Sequence, residues 1–159
     1  MAYNNCTILG SRSEALERIP YAVMDSTFEN AIVALLRALD QEGSWQIVYA
    51  LLTHPKASAR TLGLRVVRRG LRDKELLRRV VQLSFSVGGL GELQYWYTAI
   101  LARYPVTSFV SALEAEAAAR ADAGFTARNI RALYMHRARG SKKKKIAYAR
   151  LVAATAATA

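Results

Sequence analysis

Residues 26–55 read STFENAIVALLRALDQEGSWQIVYALLTHP. Phe28, Ile32, Leu35, Leu36 and Leu39 recur at intervals of three and four, the spacing of one face of an α-helix. Ser26 and Glu29 have the S-x-x-E spacing of a capping box, which predicts that this helix starts at Ser26. Gly43 is expected to end it. Ser44 then caps a second helix carrying Trp45, Val48, Tyr49 and Leu52. Pro55 stops that one, because the residue before a proline is pushed out of the α region. Two such helices joined by a short turn make an antiparallel hairpin.

The same pattern continues downstream. A third helix is expected over about 57–69, with Leu62, Val66 and Val67 apolar and Gly70 as its C-cap. A fourth covers about 73–86 through Leu76, Leu77, Val80, Val81 and Ser84. Gly88, Gly89 and Gly91 form a connector before a fifth, about 92–103, with Leu93, Trp96, Tyr97, Ile100 and Leu101. A sixth runs from Thr107 to about 121 and is broken by Gly124. Thr126 caps a seventh bearing Ile130, Leu133 and Tyr134, ended by Gly140. Upstream, residues 1–25 are expected to be irregular, with Asn4, Asn5, Gly10, Ser11 and Pro20 opposing regular elements. They match neither a secretory signal nor an Arg-rich transit peptide. No segment shows a period of two, so the predicted class is all-α. The expected domain is 26–139, followed by a basic, alanine-rich tail at 140–159.

Phe28, Leu62 and Tyr95 are expected to begin successive first helices, at spacings of 34 and 33. A period of that length marks helical repeats that bury their apolar faces on one another. The expected architecture is about seven helices in antiparallel hairpins, stacked as a short right-handed solenoid. Thr27-Phe28-Glu29-Asn30-Ala31-Ile32-Val33-Ala34-Leu35-Leu36, with Gly43-Ser44-Trp45 and Val48-Tyr49-Ala50-Leu51-Leu52, resembles one pentatricopeptide repeat. That family has an aromatic and an Asn early in its first helix and Ala-Leu late in its second. The resemblance implies recognition of one RNA base per repeat, with Asn30 at a base-reading place. Leu64 and Tyr97, at the matching places of the next repeats, are not small polar residues, and Arg60 stands where the family prefers Asp, Asn or Ser. Those departures argue against base-by-base reading. Some pentatricopeptide-like proteins are instead protein-binding scaffolds. One serves on the catalytic sector of the euglenozoan mitochondrial ATP synthase, and this chain is similar to it in size and helical make-up.

The chain has 159 residues and a formal net charge of +11, unevenly placed. Residues 1–55 carry three basic and six acidic side chains, and residues 56–79 carry nine and two. Residues 80–123 carry two basic and four acidic, and residues 124–159 carry nine basic and no acidic. Two basic blocks in a mildly acidic frame favour contact with an acidic protein surface or a polyanion. Arg65, Arg68, Arg69 and Arg72 fall at i, i+3, i+4 and i+7, one stripe if the helix persists through Gly70, and Arg78 and Arg79 follow on the next helix. Arg137, Arg139, Lys142, Lys143, Lys144 and Lys145 complete the expected partner-binding set.

Residues suited to catalysis are scattered. His54 precedes Pro55 and reads as a turn residue, His136 lies among arginines, and Cys6 has no base near it. Gly88-Gly89-Leu90-Gly91 lacks the Lys-Ser/Thr of a phosphate loop. Glu114 and Glu116 are two apart on a helix and point to different faces. No catalytic residue, metal or cofactor is expected, and no apolar run spans a bilayer. The expected role is a non-catalytic adaptor, an accessory subunit of a mitochondrial complex such as ATP synthase, with protein subunits as partners. The alternative is phosphate-level RNA binding in an organellar or viral ribonucleoprotein, with Tyr95, Trp96 and Tyr97 as stacking candidates, although Trp96 fits the core face of its helix better. The apolar face of the tail is too small to favour peripheral membrane contact.

Overall fold

The computed structural model describes residues 10–21, 26–87, 89–120 and 122–135. Among these residues there are eight α-helices, one 3-10 turn and no strand, so the protein is all-α. The chain divides into two compact units, Met1–Leu76 and Leu77–Ala159.

The first unit holds α1 (Arg12–Arg18), a 3-10 turn (Ile19–Tyr21), α2 (Ser26–Leu35), α3 (Gln41–Leu52) and α4 (Ala57–Gly70). α1 packs on α3, and α4 packs on both α2 and α3. Ile32, Ile47, Val48, Leu51, Leu52, Leu62, Val66 and Val67 are all buried between them. Each such side chain contributes roughly 1.5–3 kcal/mol of apolar burial.

α1 corrects the expectation of an irregular start. Ser11-x-x-Glu14 is itself an S-x-x-E sequence, and here the motif caps. The Glu14 backbone N–H donates to Ser11 Oγ (3.2 Å), and Glu14 Oε2 accepts from the Gly10 N–H (3.0 Å). At α3 the glycine reading reverses. Gly43 lies in the first turn of α3, where its N–H donates to Oδ1 of the N-cap Asp40 (2.8 Å). Ser44 is buried and donates through Oγ to the Leu36 carbonyl (3.3 Å), tying the start of α3 to the chain leaving α2. A short Asp side chain accepts readily from the free N–H groups of a first turn, and here Asp40 does so at Gly43.

α4 is held close to its neighbours by two glycines seven apart. A Cβ on Gly63 would lie 2.9 Å from Leu51 Cβ and 3.3 Å from the Leu51 backbone carbon. One on Gly70 would lie 3.0 Å from Val33 Cγ2. Gly70 is therefore a packing residue against α2, and the chain leaves α4 through Leu71 in an extended conformation. Arg72 consequently lies beyond the helix, and the expected four-arginine helical stripe ends at Arg69.

α5 (Lys74–Ser84) straddles the boundary between the units, and Asp73 Oδ1 accepts from the Leu76 N–H near its start (2.9 Å). The second unit continues with α6 (Leu90–Leu101), α7 (Val106–Arg120) and α8 (Ala123–Met135). α8 packs on α6 and on α7. Gly124 does not break the chain here but sits inside the first turn of α8, donating to Asp122 Oδ1 (2.9 Å), so Asp122 rather than Thr126 caps this helix.

The core of the second unit is aromatic. Phe85 meets Phe109 at 6.2 Å and Phe125 at 6.0 Å, and Tyr97 meets Phe109 edge-on at 4.8 Å. The buried Tyr97 hydroxyl donates to Asn129 Oδ1, and Asn129 Nδ2 donates to the Phe125 carbonyl (2.8 Å). Burial pushes the Tyr97 phenol well above its ordinary range, with Arg128 pulling the other way. A phenol that ionises less readily when folded favours the folded state fully below pH ~10, and that contribution fades as pH rises further. Tyr97→Phe is therefore expected to lower the unfolding free energy at pH 8 by about 1 kcal/mol for the lost hydrogen bond, seen as a lower urea midpoint. Its further loss between pH 8 and 11 should be smaller than that of the native chain. An equal loss in both would show that Tyr97 does not titrate in this way.

The spacing of Phe28, Leu62 and Tyr95 does not mark equivalent helix starts. Leu62 and Tyr95 lie mid-helix in α4 and α6, and Tyr95 is 71% exposed while Phe28 and Leu62 are buried. Trp96 and Tyr97 face the core beside it.

Candidate partner-binding surface

α2 turns Phe28, Glu29, Ile32, Val33 and Leu35 inward. Glu29 thus shares the apolar face, three and four residues from Ile32 and Val33. It is 1% exposed. A carboxylate taken out of water needs cations or donors around it, or it opposes folding strongly. α4 supplies them. Arg69 Nη1 reaches Glu29 Oε1 at 2.5 Å, and Arg65 Nη2 forms an ion pair with Oε2. The Arg65 contact is electrostatic rather than an aligned hydrogen bond. Arg69 also donates through Nη2 to Asn30 Oδ1 (3.0 Å). The expected capping box at Ser26 is thereby replaced, since both Glu29 oxygens face guanidinium groups.

The predicted partner-binding residues divide accordingly. Arg65, Arg68 and Arg69 share one face of α4 by spacing. Arg65 and Arg69 keep 37% and 51% of their side chains in solvent while holding Glu29. Arg68 is exposed, and Arg72 is exposed in the connection after α4. Arg78 (exposed) and Arg79 (half-buried) lie on the part of α5 that belongs to the second unit. Arg137, Arg139 and Lys142 to Lys145 lie outside the described residues.

The other chemically versatile groups have local roles. His54 Nδ1 accepts from the Lys56 N–H (3.1 Å), and the His54 and Pro55 carbonyls both accept from Arg60 (2.8 Å each), so this segment is a braced turn. Lys56 Nζ donates to the Pro20 carbonyl (2.8 Å), fastening that turn to the 3-10 segment. Glu116 pairs with Arg120 at 2.5 Å, and the Arg120 guanidinium lies over the Phe125 ring at 4.7 Å. Among the described residues no group of His, Cys, Asp or Glu side chains could hold a metal ion. No helix among them is long and apolar enough to cross a membrane.

The sequence reading missed the Glu29 cluster. The signal was present: Glu29 is in helical register with Ile32 and Val33, and an acid on an apolar stripe calls for a cation. The arginines stand on α4, the helix after next in the pattern.

The chain matches no protein-family model, and no curated protein or solved structure matches it.

Proposed function

We propose that the chain is a non-catalytic helical adaptor that docks its basic α4 face on an acidic protein surface. In this reading it is an accessory subunit of a larger assembly, and its packed helices serve as a scaffold. Placement in a mitochondrial complex of the ATP synthase type rests on the resemblance of residues 27–54 and on likeness in size and helical make-up. The observation that carries the reading is the solvent-facing row of guanidinium groups on α4, extended by Arg72, in a segment where basic residues outnumber acidic ones nine to two. Guanidinium groups arranged this way meet carboxylates in bidentate pairs.

Two observations weigh against base-reading RNA recognition. Asn30, the base-reading candidate, has its Oδ1 engaged by Arg69. Trp96 and Tyr97, two of the three stacking candidates, are buried in the second unit, leaving Tyr95 exposed. Single-strand binding draws much of its sequence-tolerant affinity from exposed aromatic platforms.

Recovery of the tagged chain from its native source tests the proposal, paired with anisotropy of labelled single-stranded RNA at rising salt. The adaptor reading expects a fixed, stoichiometric set of protein partners and weak RNA binding. Tight RNA binding that falls steeply with salt, with no constant protein partner, would replace it by the ribonucleoprotein reading.

A further inference from the structure

We infer that Glu29 and its two arginines act as a register key, fixing one axial position of α4 against α2 out of several that apolar packing alone allows. α2 buries Phe28, Ile32, Val33 and Leu35, and α4 buries Ala59, Leu62, Gly63, Val66, Val67 and Gly70. Both rows recur every three or four residues. Sliding α4 by one turn, roughly 6 Å, therefore lays apolar side chains on apolar side chains again. Glu29 does not share that tolerance. It is buried on the same inward face, so it opposes every position that leaves it without cations.

In the native position Arg65 and Arg69 take one Glu29 oxygen each. A slide of four residues one way sets Thr61 and Arg65 in their places, and the other way leaves Arg69 with Asp73, an acid. A slide of three residues brings Leu62 and Val66, or else Arg68 and Arg72, but Arg72 lies beyond the end of α4, past the extended Leu71. The native position is thus the one in which the helix itself offers two guanidinium groups to the buried carboxylate. The close approaches of Gly70 to Val33 and of Gly63 to Leu51 favour the same position by shape. A buried ionic cluster adds little net stability over apolar residues of similar size, and choosing among packings is its best-attested use.

Nuclear magnetic resonance of the full chain tests the key, with the urea midpoint as the measure of stability. The native chain should give one set of α4 amide signals and an NOE between the Gly70 Hα protons and the Val33 methyls. Glu29→Leu/Arg65→Met/Arg69→Met should recover most of the native midpoint, yet show a second set of α4 signals at about 10% or more of the population. One set of signals with the Val33–Gly70 NOE intact overturns the inference, because the glycines and apolar rows would then hold the register unaided. A triple variant that fails to fold also overturns it, since the cluster would then supply stability rather than choice. Thr61→Arg/Arg69→Thr is the second variant. Thr61 is exposed one turn before Arg65, so this change keeps composition and net charge while moving the arginine pair one turn along its row. It should lower the midpoint, split the α4 signals and weaken the Val33–Gly70 NOE. A native midpoint and a single native set of signals in that variant overturn the inference.

Discussion

Replacing Arg65 and Arg69 together by methionine is expected to destabilise the chain by about 3–5 kcal/mol, the usual consequence of stranding a buried charge. Methionine keeps much of the aliphatic volume, so the loss isolates the electrostatic part. Neither arginine is itself deeply buried, at 37% and 51% side-chain exposure, but Glu29 is, at 1%. The penalty therefore arises on the carboxylate. Adding Glu29→Leu to the double variant should recover most of the loss, since well-packed apolar residues often replace a buried ionic cluster at little or no cost. Urea unfolding followed by circular dichroism measures both steps. A double variant within about 1 kcal/mol of the native chain would mean that water solvates Glu29 in the folded state.

Phe109→Ala is expected to cost about 3–5 kcal/mol, the range for removing a fully buried aromatic ring. Phe109 has 0% exposure and meets Phe85 at 6.2 Å and Tyr97 at 4.8 Å. Its loss opens a void in the aromatic core of the second unit and removes the edge-on partner of a ring whose hydroxyl is bound to Asn129. Phe109→Leu should cost markedly less, because it restores part of the volume. The urea midpoint is again the readout. Equal effects of Ala and Leu would show that ring geometry, rather than filled volume, holds this core together.

The all-α class was legible because the apolar residues of α2 to α6 keep helical spacing over long stretches. The starts of the helices were legible less often, for a specific chemical reason. Gly43 and Gly124 were read as stops, yet each donates its N–H to a preceding Asp and lies inside a first turn. A glycine near an Asp favours a cap as readily as an ending, and spacing alone does not choose. The S-x-x-E motif occurs twice near the start of the chain and does two different things. At Ser11 the Glu is half-exposed and closes a cap, whereas at Ser26 it lies on the apolar face and is drawn to arginines from another helix. That choice depends on a residue forty positions away, which local reading does not include. The arginine cluster was found as a patch of charge and the end of its helix was read at Gly70, but its internal partner Glu29 came only with the packing of α4 on α2. The close approach of Gly70 to Val33 is likewise a three-dimensional contact that helix propensity does not show.

The central claim is that the α4 face binds an acidic partner through its guanidinium groups. Charge reversal at Arg68 and Arg72 tests it most directly, because both side chains are exposed on or just beyond α4. The measurement is the affinity of native and Arg68→Glu/Arg72→Glu chains for the protein partner recovered from the native source, at two salt concentrations. The account predicts a loss of about 30-fold or more at low salt, narrowing as salt rises, with unchanged circular dichroism. Affinity retained within about twofold would place the docking surface elsewhere and contradict the account.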